Sequence, residues 1–356
     1  MNSVPLHSSQ AAATSAGSAW LSGGVFRAVR NTFGASVRLW ARTPRGRSFS
    51  FHYERVLGTS LELQVVATDA DAARRAEVAV LAEVDRLALV LSGYDATSEL
   101  ARWQEHLGVL TPVSPELADV LSAAEAWRVR TAGAFNPAAA SLMELCRDNA
   151  LPEGMDIDTR ERAMHDRLLA MRNPLWTVNR ATGVACRLTR LSVSLDAIAK
   201  GYIVDRAASC AGAIEGVTQV LVNIGGDLRH IGTRPLVAVV ADPRSPAENV
   251  RPIAAVRLRG DALATSGGYR RRFAMAGRSV SHIIDPRSGA PVSRVISASV
   301  IAPDCMSADA LSTAFSVLAP EESVALADAL DGVGCLVVAH DGTVTSNDAW
   351  RERAVA

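Results

Sequence analysis

The chain has 356 residues, 49% hydrophobic and 21% charged, and its 37 acidic and 37 basic side chains cancel to a formal net charge of zero. That balance leaves no global field for nucleic acid or an anionic membrane. No apolar run approaches the ~20 residues needed to cross a bilayer, so no integral membrane segment is expected. The length suits one large domain or two, with enough apolar residues for a substantial core.

The first acidic residue is Glu54, preceded by Arg27, Arg30, Arg38, Arg42, Arg45 and Arg47 among many Ser and Ala. Such a start resembles an organelle transit peptide. The charges are spread rather than gathered on one helical face, so residues 1–48 read as a disordered extension. A folded unit is expected over 49–350, with a subdomain boundary at about 147–174. No secretory signal is visible, and the five cysteines (Cys146, Cys186, Cys210, Cys305, Cys335) form no CxxC or zinc spacing. They read as small buried thiols, which favours a cytoplasmic over a periplasmic or membrane-associated location.

In chain order, Phe51 to Val66 has strand character around the turn-like Leu57-Gly58-Thr59-Ser60. Val80, Val84, Leu87 and Leu91 recur at helical spacing, predicting a helix over Asp71 to Leu91. Ser114-Pro115-Glu116 is a helix start, with a capping hydroxyl, then proline, then an acid. Thr131 to Ala139 is a loop feeding a short helix that ends near Cys146, and a polar stretch follows with a helix near Thr159 to Met171. Leu175 to Asn179, Val184 to Leu188 and Leu191 to Leu195 are predicted strands. Asp196 is placed to cap a helix running to about Ala211. Val217 to Ile224 reads as a buried strand ended by Gly225-Gly226-Asp227. Strands over Leu236 to Ala241, Ile253 to Leu258 and Ser299 to Ala302 follow. A helix from Ser307 to about Ala319 comes next, and Pro320 opens another. A final hairpin has Asp341-Gly342 at a primed turn. This order reads as α+β.

Lys200 is the only lysine; every other basic residue is arginine. A tight site could demand a compact ammonium rather than a forked guanidinium; the alternative is that this position is incidental. It lies in Ser194 to Asp205, where a helix N-terminus can face an anion. Val222 to Gly232 carries paired glycines that let a ligand approach the backbone, or that simply turn a strand. Thr265 and Ser266 sit in a predicted polar loop able to donate to phosphate. His282 lies at a strand edge, either as a general base or as a backbone-bonded structural histidine. Asp309 and Thr313 are four apart on a predicted helix, so their oxygens share a face. That pair suits a hard cation such as Mg²⁺, or Asp309 is an acid favoured by the helix dipole. Walker, GxGxxG, GxSxG and HExxH patterns are missing from the sequence.

Taken in order, LGTS, LSGYDATSEL, GAFNPAA, SLDAIAKGYIVDRA, NIGGDLRHIG, ATSGGYRRRF, SHIIDPRSGAPV and SADALSTAFSVL resemble the ApbE-like FAD:protein FMN transferases. The resemblance spans about residues 51 to 345. It implies an ApbE-like fold of mixed, largely antiparallel sheets flanked by helices around a nucleotide-binding cleft. It also implies Mg²⁺-dependent transfer of FMN from FAD to a Thr or Ser hydroxyl of an acceptor flavoprotein, with release of AMP. An FAD pyrophosphatase giving FMN and AMP, or a flavin-binding protein without turnover, are the alternatives.

Carried over by position, the resemblance assigns the metal to Asp309, Thr313 and the Ala197 carbonyl, and catalysis to His282 with Asp309. It assigns FAD contacts to Tyr94, Ala134, Phe135, Asn136, Ser194, Lys200, Gly225, Gly226, Asp227, Thr265, Ser266 and Ile283. Three positions depart from the family's pattern: Asn136 and Ser194 stand where Asp is common, and Leu57 where Met is frequent.

Overall fold

The computed structural model describes residues 46–146, 157–245, 251–267, 272–275, 278–281 and 284–355. The first half comprises β1 (Arg47–Val56), β2 (Thr59–Ala67), α1 (Ala70–Leu91), α2 (Glu99–Gln104), β3 (Leu110–Pro112), α3 (Pro115–Arg130), α4 (Ala139–Cys146), α5 (Ile157–Ala170), β4 (Trp176–Asn179) and β5 (Val184–Arg187). Next come α6 (Asp196–Gly212), β6 (Val217–Ile224), β7 (Asp227–Gly232), β8 (Leu236–Val240), β9 (Ala254–Leu258), β10 (Ala262–Gly267), β11 (Arg272–Met275) and β12 (Arg278–Ser281). The chain closes with β13 (Val295–Ala302), α7 (Cys305–Phe315), α8 (Pro320–Asp328), β14 (Gly334–Ala339), β15 (Val344–Ser346) and α9 (Asp348–Arg351).

Eight strands form one antiparallel sheet in the order β1-β2-β6-β7-β10-β13-β14-β15. Successive side chains of a strand point to opposite faces, and here both faces are buried. Val220, Val222, Ala262, Ala264, Val300 and Val337 face a core shared with α1, α6 and α7. Leu221, Leu263, Ile301 and Leu336 face the opposite way, into a second cluster closed by the β8–β9 hairpin and Trp350. Two covered faces explain why β6 reads as an unbroken apolar run. Smaller sheets pair β3, β5 and β4, and β11 with β12. The architecture is α+β, with helices flanking largely antiparallel sheets. Among the described residues no helix is long and apolar enough to cross a membrane.

The helix signals act as their chemistry requires. Asp69 Oδ1 accepts from Ala72 N at 2.8 Å, and Ser114 Oγ accepts from Leu117 N at 3.2 Å. Val80, Val84, Leu87 and Leu91 are all buried. Several local expectations are corrected. Leu191 to Leu195 is not a strand, because Ser194 N donates to the Pro137 carbonyl at 2.9 Å rather than into a ladder. Asp196 is the first helical residue rather than the cap of α6; its N–H is met by Ser194 Oγ at 3.1 Å. Gly225 and Gly226 do not merely end β6. At φ 63° and 104° they form a two-residue turn into β7, pairing Ile224 with Asp227. Thr265 and Ser266 lie in β10, not a loop, opposite Ser299 and Ala298 of β13. At the last hairpin only Gly342 has positive φ, so the turn is not a primed one. Gly342 N donates to Ala339 O at 3.0 Å, which leaves glycine in the position after the turn.

Candidate active site

The start of α6, one side of α4 and α7, the end of β10, the β6–β7 turn and several loops, two of them shaped by positive φ, line a cavity of about 560 Å³, a size suited to a small-molecule ligand. One loop is the β1–β2 turn, where Leu57 and Gly58 both take positive φ (50° and 75°). The other follows α3. There Thr131 Oγ1 donates to Trp127 O at 2.7 Å and accepts from Phe135 N at 3.0 Å. Ala132 and Gly133 then turn the chain back with positive φ. Ala134, Phe135 and Asn136 are thereby laid along the cavity wall.

Tyr94, Ala134, Phe135, Asn136, Ser194, Ala197, Lys200, Gly225, Gly226, Thr265, Ser266, Asp309 and Thr313 all line this one cavity. Residues spread over some 220 positions of sequence are thus brought together. Asp227 is not on the wall: it is 1% exposed and stands behind Lys200, ion-paired to it. His282 and Ile283 lie outside the described residues. The wall also includes residues not predicted as ligand contacts, among them Asp196, Pro137, Met143 and Ile203. Asp196, Pro137 and Ile203 fall within the motifs that carry the resemblance, while Met143 does not, and Asp196 makes a specific contact. It accepts from the Tyr94 hydroxyl at 2.5 Å, tying the exposed Tyr94 ring to the start of α6.

The polar floor has a definite charge balance. Lys200 Nζ pairs with Asp227 and lies 3.9 Å from Asp309 Oδ1. Burial alone lowers the Lys200 pKa, but Asp227 and Asp309 outweigh it and hold it above the usual lysine range. The side chain is therefore a fixed cation. Asp309 is 3% exposed. Burial and the neighbouring Asp227 carboxylate push its pKa well above the usual carboxylate range, against the pull of Lys200 and the Gly201 N–H. Lys200 and Asp227 balance each other, so a cation binding at Asp309 would favour its ionised form and displace its proton.

The donors fit a hard cation. Asp309 is not in the first turn of α7, whose cap is Asp304, so the dipole does not account for it. Gly201 N–H, which a regular helix directs at the Ala197 carbonyl, reaches Asp309 Oδ2 at 3.1 Å. The carboxylate therefore sits at the same turn of α6 as that carbonyl. Thr313 Oγ1 is 3.4 Å from Ser266 Oγ, which pairs with Ser312 Oγ at 2.8 Å. All donors are oxygens, as Mg²⁺ prefers. Among the described residues no group of three or more His, Cys, Asp or Glu side chains could hold a metal. A cation here would thus need waters or substrate phosphate to complete its shell.

The Gly225 and Gly226 amides are already used, by Ser60 O at 3.1 Å and Asn223 Oδ1 at 3.0 Å. What this turn offers a ligand is bare surface, since a side chain built at Gly226 would meet nothing within 4 Å.

The fold is that of the ApbE structures. The ApbE protein of Thermotoga maritima superposes with a TM-score of 0.73 at 28% identity, covering 87% of this chain and 100% of its own. The apo flavinyl transferase ApbE of Pseudomonas stutzeri gives 0.73 at 26%, covering 89% and 99%. The ApbE family model matches residues 57–337, and the chain belongs to the ApbE family. The FAD:protein FMN transferase of Vibrio cholerae is 30% identical over 286 residues, covering 76% of this chain and 81% of the relative. That of Escherichia coli K12 is 26% identical over 277 residues, covering 76% and 78%.

Proposed function

We infer that this protein is an FAD:protein FMN transferase: it moves FMN from FAD to a Thr or Ser hydroxyl of a target flavoprotein and releases AMP. The observation that carries this reading is the cavity in which Lys200, Asp309 and Thr313 meet the loops of the family's other motifs. In the reaction the acceptor oxygen bonds to the FMN phosphorus. The anhydride P–O bond breaks, and its electron pair leaves with AMP.

Within that reading, Lys200 presents a permanent point charge to the diphosphate, and Asp227 holds it there. Mg²⁺ held by Asp309, Thr313 and the Ala197 carbonyl would neutralise charge on the diphosphate as it separates. We assign the acceptor proton to His282, on the strength of the Ser281-His282-Ile283 motif. Tyr94 and the Ala134-Phe135-Asn136 stretch offer an aromatic and polar wall for the rings of FAD. Residues 49–350 serve as one transferase unit in this account, supported by a single sheet that runs from β1 to β15.

Incubation with FAD, Mg²⁺ and a flavoprotein domain carrying an acceptor hydroxyl should add one FMN mass to that domain and release AMP. Chelation by EDTA should stop the reaction. FMN and AMP without an adduct would instead mark a pyrophosphatase, and unchanged FAD a flavin-binding protein.

A further inference from the structure

The elements that supply Lys200, Asp227 and Asp309 meet a second time, one helical turn away. On α6, Asp205 lies five residues after Lys200. Its Oδ1 accepts from Cys305 N and its Oδ2 from Met306 N, both at 2.9 Å. These are the first two donors of α7, normally left without partners at a helix start. On β7, Arg229 lies two residues after Asp227 and so on the same strand face. Its Nε is 3.5 Å from Asp205 Oδ1, and its Nη1 donates to the Pro303 carbonyl just before α7. Asp304, the cap of α7, covers only the next donor, Ser307 N, at 2.7 Å.

Between the two junctions the helices nearly touch. A Cβ on Gly201 would lie 2.3 Å from Cys305 O. With no side chain to absorb a slip, a shift of α7 at Cys305 must be passed on to Asp309, one turn further along.

We propose that Asp205 and Arg229 are positioning residues that set α7 in register against α6, and so place Asp309 beside Lys200 and its metal. The proposal rests on the transferase reading of the same cavity. Neither residue lines that cavity, so both act through α7.

The test is Asp205→Asn, whose amide keeps one acceptor oxygen but turns its NH₂ toward a backbone N–H. By analogy with outer residues that orient metal ligands, Mg²⁺ affinity measured by calorimetry should weaken roughly tenfold, and kcat should fall by a similar factor. KM for FAD should stay within about twofold, since the wall contacts are untouched. Arg229→Gln should move the same quantities in the same direction, and it carries the test if Asp205→Asn does not fold. Leu336→Ala, which weakens the opposite face of the sheet, is the stability control: a lower melting temperature with unchanged Mg²⁺ affinity is expected. If Asp205→Asn lowers the melting temperature but leaves Mg²⁺ affinity and kcat at wild-type values, the positioning role is overturned. A wild-type protein that binds no Mg²⁺ and transfers no FMN overturns the functional reading, and this proposal with it.

Discussion

Lys200 Nζ lies 3.9 Å from Asp309 Oδ1 while ion-paired to Asp227, so one ammonium stands between two carboxyl groups that water barely reaches. The lone lysine, itself partly exposed at the cavity, thus reaches two acids that belong to the protein interior. Removing one partner of a buried ion pair leaves an uncompensated charge, at a cost of about 3–5 kcal/mol. Lys200→Ala should lower the urea midpoint accordingly and abolish transfer. Lys200→Met combined with Asp227→Asn should recover much of the stability without recovering FMN transfer. A Lys200→Ala protein with a wild-type unfolding curve would show that the carboxylates do not depend on the ammonium.

Tyr94 gives a milder case. The residue is 51% exposed and lines the cavity, and its hydroxyl donates to Asp196 Oδ2. Tyr94→Phe keeps the ring and deletes that bond, a loss of about 0.5–1.5 kcal/mol. The dissociation constant for FAD should rise about two- to tenfold, read from flavin fluorescence, and Tyr94→Ala should exceed it. Equal constants for the two variants would mean the ring contributes nothing.

Gly201→Ala tests the contact between α6 and α7 directly. The new methyl would collide with the Cys305 carbonyl, which is backbone and cannot rotate away. Overpacking of this kind costs typically about 1–3 kcal/mol. The helices should separate, lowering both the melting temperature and Mg²⁺ affinity. Unchanged thermal unfolding would contradict the close approach.

How far these features were legible depends on the range of the interaction. The helix of Val80, Val84, Leu87 and Leu91 and the strand Val217 to Ile224 follow from local spacing, and both stand in the structure. Asp309 and Thr313 share a helix face because the helix is local too. The Lys200–Asp227 pair was not legible: it spans 27 positions and exists only because Gly225 and Gly226 turn β7 back along β6. Thr265 and Ser266 read as a loop because they are polar. Their hydroxyls instead find Ser299 and Ser312, so polarity is satisfied within a strand. Leu191 to Leu195 alternates like a strand, but its groups bond elsewhere, with Leu191 O accepting from Arg187 Nη2 at 2.8 Å.

His230 sets a pH limit on the fold. It is fully buried, and Nδ1 accepts from Gly260 N at 3.0 Å, which places the neutral ring's proton on Nε2. Burial lowers its pKa below the ordinary value of 6.5. The unfolded chain therefore binds the proton more readily than the native one. The stability contribution is present above pH 6.5 and is lost as pH falls below it, by up to ~1.4 kcal/mol per pH unit. Asp205 and Asp309, whose pKa values are raised by burial, slope the opposite way in this window. The His230 contribution is therefore read as the difference in slope between wild type and His230→Gln in chemical unfolding from pH 7 to pH 5, with the wild type losing more stability on acidification. A variant with the wild-type slope would place the pH sensitivity elsewhere.

Asn136 is one of the positions where the sequence departs from the pattern of the resemblance, and the structure shows what its amide does. Asn136 Oδ1 accepts from Ala138 N at 3.0 Å, while Nδ2 donates to Met171 O at 3.4 Å. An aspartate could make the first contact but would set a carboxylate against the Met171 carbonyl. Arg128, which also donates to Met171 O, is already matched by a two-bond pair with Glu125 and offers little spare charge. Asn136→Asp should therefore destabilise the protein by about 1–3 kcal/mol, the cost of a buried polar group without its partner. If the cavity holds FAD as proposed, the variant should also weaken FAD binding, because the residue lines the cavity and would add a negative charge to it. Thermal unfolding and FAD titration of the single variant decide both points. Tighter FAD binding with unchanged stability would mean that the loop readjusts and that the amide has no structural role.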